Sequence, residues 1–329
     1  MAMKIMKHDP IICAAAKFAY NKESNGISYE YQTIYKSLNS VFPDTKFIDV
    51  YHNSGVDKLI SYLVSLPKDP RPRVLYIPFL GVLGPSELNK IRSIAEVGIF
   101  YLDDTWRQDL VSAYFNYCDW FTTSDPKFKW RYDQRLFKNI RFFPFGYDAN
   151  QTNLAIRDFS ERDIEISFVG ARNDYRHFVI EQIKKAGIDV TCYGAGWPNG
   201  PLSPDGFLNI IGRSKLSLNL SNSVQWDLRH LLKKPLSIAR NLKSGKKFEQ
   251  FKARHMEIAA LGACQLSFYS VGLEHIFNIE KDIILYPTPD ELPYIINSLK
   301  DDEAEKIAEN ARKTVAKYSY QNQFRTIFG

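Results

Sequence analysis

Before residue 150, short runs rich in β-branched and aromatic residues alternate with amphipathic stretches of helical length, and after residue 163 the same alternation begins again. Strand-length runs stand at IICAAA from Ile11, KFIDVY from Lys46, RVLYIPF from Arg73, GIFYLDD from Gly98, WFTTS from Trp120 and IRFFPF from Ile140. Between the first two, Tyr31, Ile34, Tyr35, Leu38 and Val41 recur at spacings of three and four, which puts them on one helical face. Strands joined by helical crossovers make a parallel sheet. The polar stretch GYDANQTNLAIRDFSERD lacks this periodicity, and new strands are then read at IEISFVG from Ile164, DVTCYG, LSLNLS, CQLSFY and DIILYP. The expectation is α/β: two Rossmann-like, doubly wound parallel-sheet domains, residues 1–155 and 156–316, facing each other across a cleft. Residues 317–329 are expected to cross back to the first domain, because YSYQNQFRTIF offers Tyr318, Tyr320, Phe324 and Phe328 as an aromatic face too apolar for a free tail.

At 329 residues the chain can bury two ordinary cores. The opening MAMKIMKHDPIICAAAKF is interrupted by charge and by Pro10, and no run of about 18 apolar residues occurs, so a cytoplasmic protein is expected. Cys13, Cys118, Cys192 and Cys264 lack the paired spacings of a zinc or redox site and read as buried thiols. His8 and His52 are isolated and read as structural. The net charge of +6 is too small to imply nucleic acid, but it is uneven: nine Lys or Arg face two acids between Asp227 and His255. That segment fits a solvated helix face, an anionic substrate or peripheral contact with the inner face of a membrane, through residues 229–254.

Open parallel sheets bind ligands beyond the carboxyl ends of their strands, so the strand-end loops carry the candidate site residues. In SFVGARNDYR, Gly170 permits close backbone approach before a helix start and Arg172 could contact phosphate; a tight turn with an exposed Arg fits as well. In CYGAGWPNGPLS, Tyr193 and Gly194 open a Gly- and Pro-rich strand end where a flat group could sit against Trp197, or which is a surface turn. SKLSLNLSNS offers Lys215, Asn219, Ser221 and Asn222 as donors to phosphate or sugar oxygens, or as turn residues. If Lys247–Ala263 is one helix, Glu249 and Glu257 lie ~80° apart on it, close enough to flank one ligand, with Lys252 and Arg254 between them. In FYLDDTWR, Asp103 and Asp104 could act as general base, bind a metal or cap a helix. Gly26, Ser28 and Glu30 lie in a polar loop that could form a lip on the acceptor side.

These motifs, taken in order, resemble the GT-B glycosyltransferases that carry an E-x7-E element, a family 4-like group, and within them the proteins typified by the spore maturation protein CgeB. The resemblance rests on KARHMEIAALGA followed by SVGLEHIF, on SFVGARNDYR, CYGAGWPNG and SKLSLNLSNS in the same order, and on YLDDTWR and WFTTSDP in the first half. It is densest from Ile164 to Phe328. Val271 departs from the pattern, and Arg229–Lys247 has no counterpart in it.

The resemblance implies that Glu257 holds the ribose hydroxyls of a nucleotide-sugar donor and that Glu249 also lies on the donor side, at a position where the group varies. It implies that Arg172, Lys252 and Arg254 neutralise the diphosphate without a metal, and that Gly272, Leu273 and Glu274 present backbone amides to the donor. The function it implies is transfer of a sugar from a nucleotide diphosphate to a hydroxyl of a glycan or lipid-linked glycan, as in a cell-surface, O-antigen-like or spore-coat polysaccharide, with no cofactor. A sugar-nucleotide epimerase of the same fold and a non-catalytic nucleotide-sugar-binding protein are the alternatives.

Overall fold

The computed structural model describes residues 9–79, 82–127, 132 and 139–329, and His8 lies outside them. The chain forms two compact units, Met1–Pro144 with Tyr320–Gly329, and Phe145–Ser319. The division falls earlier than residue 155 because the Ala149–Ala155 helix packs on the Pro204–Gly212 helix of the second unit. Contact there is close: a Cβ on Gly212 would lie 2.2 Å from the Ala155 carbonyl oxygen.

The first unit has six parallel strands, β1 (Ile11–Ala15), β2 (Lys46–Asp49), β3 (Arg73–Tyr76), β4 (Glu96–Phe100), β5 (Trp120–Thr123) and β6 (Ile140–Phe142), in the order β2-β1-β3-β4-β5-β6. Cys13 of β1 lies opposite Phe47 on one side and Leu75 on the other. All five residues of β1 are buried, as an unalternating Ile-Ile-Cys-Ala-Ala run requires of a strand covered on both faces. The order reverses beside β1, between β2 and β3 in the chain, which makes the carboxyl ends of β1 and β3 the switch point. The β1–β2 connection begins as a π-helical turn, Glu30–Tyr35, and continues as the α-helix Lys36–Val41. Ile34 and Leu38 are buried, and the Tyr31 and Tyr35 rings close on Phe47 at 4.7 and 5.0 Å. β4 starts two residues before Gly98 and stops at Phe100, leaving Asp103 and Asp104 in the following turn.

The helix Tyr320–Phe328 completes this core. Tyr320, Phe324 and Phe328 recur every four residues and bury against Ile34, Leu38, Phe100 and Trp120. Arg73 donates to the Phe328 carbonyl at 2.9 Å. Tyr318 is not part of that face: it ends the short 3-10 turn Ala316–Tyr318 of the second unit and is only half-buried.

The second unit has five parallel strands, β7 (Ile164–Val169), β8 (Thr191–Tyr193), β9 (Ser214–Asn219), β10 (Cys264–Ser267) and β11 (Ile284–Leu285), in the order β11-β10-β9-β7-β8. Its switch point lies between β7 and β9. Arg162, almost fully buried, anchors the entry to this sheet by donating to the carbonyls of Ser214 at 2.8 Å and Leu261 at 2.9 Å. The four cysteines are free and buried. Among the described residues no helix is long and apolar enough to cross a membrane.

Truncating a fully packed ring removes its transfer energy and leaves a cavity. Phe324→Ala is expected to lower the unfolding free energy by about 3–5 kcal/mol, read from the denaturant midpoint. A surface substitution such as Lys313→Ala should leave the midpoint in place.

Candidate functional site

The exits of β7 and β9 are tied together by one side chain. Arg176 is the third residue of the Asp174–Lys185 helix, where a cation opposes the helix dipole. Its guanidinium donates to the carbonyls of Ala171 (2.9 Å), Leu220 (3.0 Å) and Ser221 (2.9 Å), so it spans both strand exits. Burial brings its pKa down to about 10, which still leaves it charged at neutral pH. In the sequence Arg176 carries one signal, the unfavourable place of a cation in the first turn of a helix.

The β7 and β8 exits are joined by backbone. Gly170 N–H donates to the Tyr193 carbonyl at 2.9 Å, and Arg172 N–H donates to that of Ala195 at 2.8 Å. A Cβ on Gly194, which has φ +132°, would lie 2.2 Å from the Gly170 oxygen, so only glycine allows the two loops to meet. Trp197 is buried and donates from Nε1 to the Gly170 carbonyl at 2.9 Å. It is a strut between the loops, neither a stacking surface nor an exposed turn residue. Arg172 remains exposed beside it, its guanidinium 5.9 Å from the indole.

The helix expected over Lys247–Ala263 is shorter, Ala253–Ala260, and Glu249 lies outside it. Glu249 and Glu257 therefore do not share a helical face. The cause is Phe251, buried and stacked on His255 at 4.9 Å, which requires an extended approach to the helix. His255 also closes the helix start: its Nδ1 accepts the Lys252 N–H at 3.1 Å, and Nε2 contacts the Ser267 hydroxyl at 3.2 Å. Arg254 and Glu257 follow on the first turns. Arg254 donates to the Val169 carbonyl at the end of β7 at 3.0 Å, lies 4.1 Å over the Phe207 ring, and has its Nε 3.6 Å from Glu257. Burial pushes the Glu257 carboxyl above its usual range and Arg254 partly offsets this.

Glu249 is held at the β9 exit instead, accepting from the hydroxyls of Ser221 and Ser223 and from Gln225 Nε2 at 2.9 Å. Burial raises its pKa and those hydroxyls counter the rise. Ser221 is thereby committed to Glu249. Asn219, at the end of β9, is buried with its Nδ2 unpartnered among the described residues. The Ser270 hydroxyl, in the loop after the adjacent β10, is in the same condition.

The expectation for Lys215 is corrected, and that for the Gly272–Glu274 turn is corrected at Leu273. Lys215 stands near the start of β9, about 13 Å along the strand from Asn219, bridging Glu165 at 3.0 Å and Asp301 at 2.8 Å. It belongs to the opposite edge from the site. In the Gly272–Glu274 turn the Leu273 N–H is used internally, donating to the Ser270 carbonyl at 3.1 Å, and Leu273 is fully buried. The Glu274 carboxylate is exposed and accepts from Tyr269 at 3.1 Å.

In the first unit Asp104 is fully buried. It accepts from the hydroxyls of Thr123, Ser124 (3.1 Å) and Tyr132 (2.9 Å), and burial raises its pKa to about 6 against those bonds. It has no access to a substrate proton and fastens the β4 and β5 exits instead. Asp103 is half-buried, and its charge adds to the burial that raises the pKa of Glu30. Ser28 is buried, donating to the Ala16 carbonyl at 2.6 Å and accepting the Tyr31 N–H at 3.1 Å, and Gly26 shapes the loop before it at φ +78°. Ser28 is thus engaged within its own loop, and His52 is exposed. Among the described residues no cluster of three or more His, Cys, Asp or Glu side chains is arranged to hold a metal.

Residues 172–329 match the family model described as glycosyl transferase-like. No curated protein matches the chain. Among solved structures, Alr3699/HepE from Anabaena in complex with UDP is 10% identical, with 97% of this chain and 98% of that one covered at a TM-score of 0.60. Sucrose-phosphate synthase from Thermosynechococcus elongatus is 12% identical, with 97% of each chain covered at 0.62. AviGT4, a glycosyltransferase involved in avilamycin A biosynthesis, is 12% identical, with coverage of 97% and 98% at 0.56. These likenesses show the GT-B fold.

Burial holds His255 neutral, with its pKa lowered from 6.5 to about 3. As pH falls below 6.5 the unfolded chain takes up this proton and the folded chain does not. The stabilisation is therefore complete above pH 6.5 and is lost towards pH 3. The unfolding free energy of the native protein should fall relative to His255→Gln by about 1.4 kcal/mol for each pH unit in that window. Denaturant titrations at several pH values measure it, and the difference between the two proteins removes the opposing contribution of Asp104.

Proposed function

We propose that the protein is a glycosyltransferase that moves a sugar from a nucleotide-diphosphate sugar to a hydroxyl of a glycan or glycoconjugate. The observation that carries this reading is the Arg254–Glu257 pair, fastened to the last residue of β7 beside the switch point of the second sheet. Its support is the match of residues 172–329 to a glycosyl transferase-like family and the likeness to structures solved with UDP or UDP-glucose.

In this reading Glu257 accepts hydrogen bonds from the ribose hydroxyls. Arg172, Arg254 and Lys252 lie against the diphosphate, whose charge grows as the bond from the anomeric carbon to the phosphate oxygen breaks. The unpartnered amide of Asn219 and hydroxyl of Ser270 supply further donors at the β9 and β10 exits. The acceptor oxygen forms the new bond to the anomeric carbon and gives its proton to a carboxylate. Of the two acids read as the base, Asp104 is enclosed and Asp103 is half-buried. Departure is assisted by the fixed cations and not by a metal. The CgeB-like subgroup and a role in building a surface polysaccharide are part of the same proposal.

Incubation with a panel of nucleotide sugars, with and without glycan acceptors, should release nucleotide only when an acceptor is present. Tight binding without release, whatever the acceptor, would mark a non-catalytic binding protein instead. Glu257→Gln should weaken binding of the matching nucleoside diphosphate by roughly 1.5–3 kcal/mol, measured by calorimetry. Arg172→Ala should reduce kcat more than it raises KM, because its contact strengthens as charge develops. Activity that disappears in chelator and returns with magnesium would contradict the metal-free departure.

A further inference from the structure

We propose that the hairpin Trp226–Lys247 is a docking surface for an anionic lipid bilayer, lying in the plane of its headgroups. The segment folds as two short helices, Leu228–Lys233 and Leu236–Lys243, between the β9 exit and the stretch that carries Glu249. Its inward residues are few: His230, Leu231 and Ser237 are buried, and Asn241 donates to the Gln225 carbonyl at 2.9 Å. Its outward residues are large and apolar. Trp226, Leu228, Leu232, Leu236, Ile238 and Leu242 are between 42% and 83% exposed. Leu228 with Leu232, and Ile238 with Leu242, stand one helical turn apart, so each helix carries an apolar stripe away from the core. Six large exposed apolar side chains gathered on one short hairpin mark an interaction site.

The charge around the stripes selects the partner. Residues 226–247 hold seven Lys or Arg and one acid. Arg229 is engaged by Asp227 within the hairpin and by Asp290 outside it, and Arg240 by Asp174, so that Asp290 and Asp174 hold the hairpin on its unit. Lys234, Lys243 and Lys247 are exposed and form no ion pair among the described residues. Apolar side chains that enter the acyl boundary, flanked by lysines that meet anionic headgroups, are the pattern of an interfacial amphipathic helix. A nucleic acid would use the lysines and leave the leucines in water. Helices of six and eight residues are too short to cross the bilayer, so the contact lies on its surface.

The base of the hairpin is closed by the Val224 N–H donating to the Lys246 carbonyl at 2.8 Å, and Gln225 of this base also donates to Glu249. The lipid contact does not rest on the sugar-transfer reading, and its test needs no activity. The full-length protein is sedimented with vesicles of phosphatidylcholine alone and of equimolar phosphatidylcholine and phosphatidylglycerol. It should bind the mixed vesicles and not the neutral ones, with binding that weakens as salt is added. Leu232→Asp combined with Leu236→Asp should reduce binding about tenfold or more without moving the thermal midpoint, because both side chains are exposed. Lys243→Glu combined with Lys247→Glu should do the same. Absence of binding to the mixed vesicles, equal binding by the native and leucine-substituted proteins, or capture of duplex DNA in preference to those vesicles would overturn the proposal.

Discussion

A parallel sheet sends every strand exit to the same edge, and that constraint governs where this protein can hold a ligand. At the edge the backbone ends in carbonyl groups that have left the ladder but have not yet met water or a helix. In the second unit those carbonyls belong to Val169, Ala171, Leu220 and Ser221, and two arginines consume them: Arg254 takes the first and Arg176 the other three. Left unpaired, partly buried carbonyl oxygens would cost stability and would repel an anion. Bonded to guanidinium groups, they become part of an edge that tolerates negative charge. The fold and the proposed diphosphate site thus depend on the same hydrogen bonds.

The acids at this edge divide by how their lone pairs are used. Glu249 has three side-chain donors at the β9 exit and holds the loop that begins the basic hairpin. Glu257 has only the distant Nε of Arg254 as an ion-pair partner among the described residues and sits in a half-buried position that raises its pKa. A carboxylate in that condition gains from a ligand with paired hydroxyls more than a fully bonded one does. Asp104 in the first unit is the opposite extreme, with hydroxyls from Thr123, Ser124 and Tyr132 filling its reach.

The strands were legible because period and composition reflect burial on both faces, and β1 is the clearest case. Helix limits were less so. The run KFEQFKARHMEIAALGA reads as one continuous amphipathic stretch, and only the packing of Phe251 on His255 reveals that the helix must wait until Ala253. Lys215 stands at the start of its six-residue strand, and the rule that parallel sheets bind ligands beyond their carboxyl ends already places it away from the site. The roles of Asp104 and Trp197 could not be read from their neighbours in sequence, since their partners arrive from other strands. Arg176 left a trace, a cation in the first turn of a helix, that is informative once the dipole is considered.

The basic hairpin follows the same physical logic from the other direction. A chain that needs cations near an anionic ligand can place them where the fold also consumes them, as with Arg176 and Arg254. Arg229 and Arg240 likewise have carboxylate partners on the body of the second unit. Lys234, Lys243 and Lys247 are different: they stand in water on a segment whose apolar side chains also stand in water. Neither feature stabilises the unit, since exposed lysines add little and exposed leucines lose burial energy. The lipid surface proposed above would supply hydrocarbon and negative charge together, and the hydrogen bonds from Asn241 and Val224 hold that hairpin against the loop that carries Gln225.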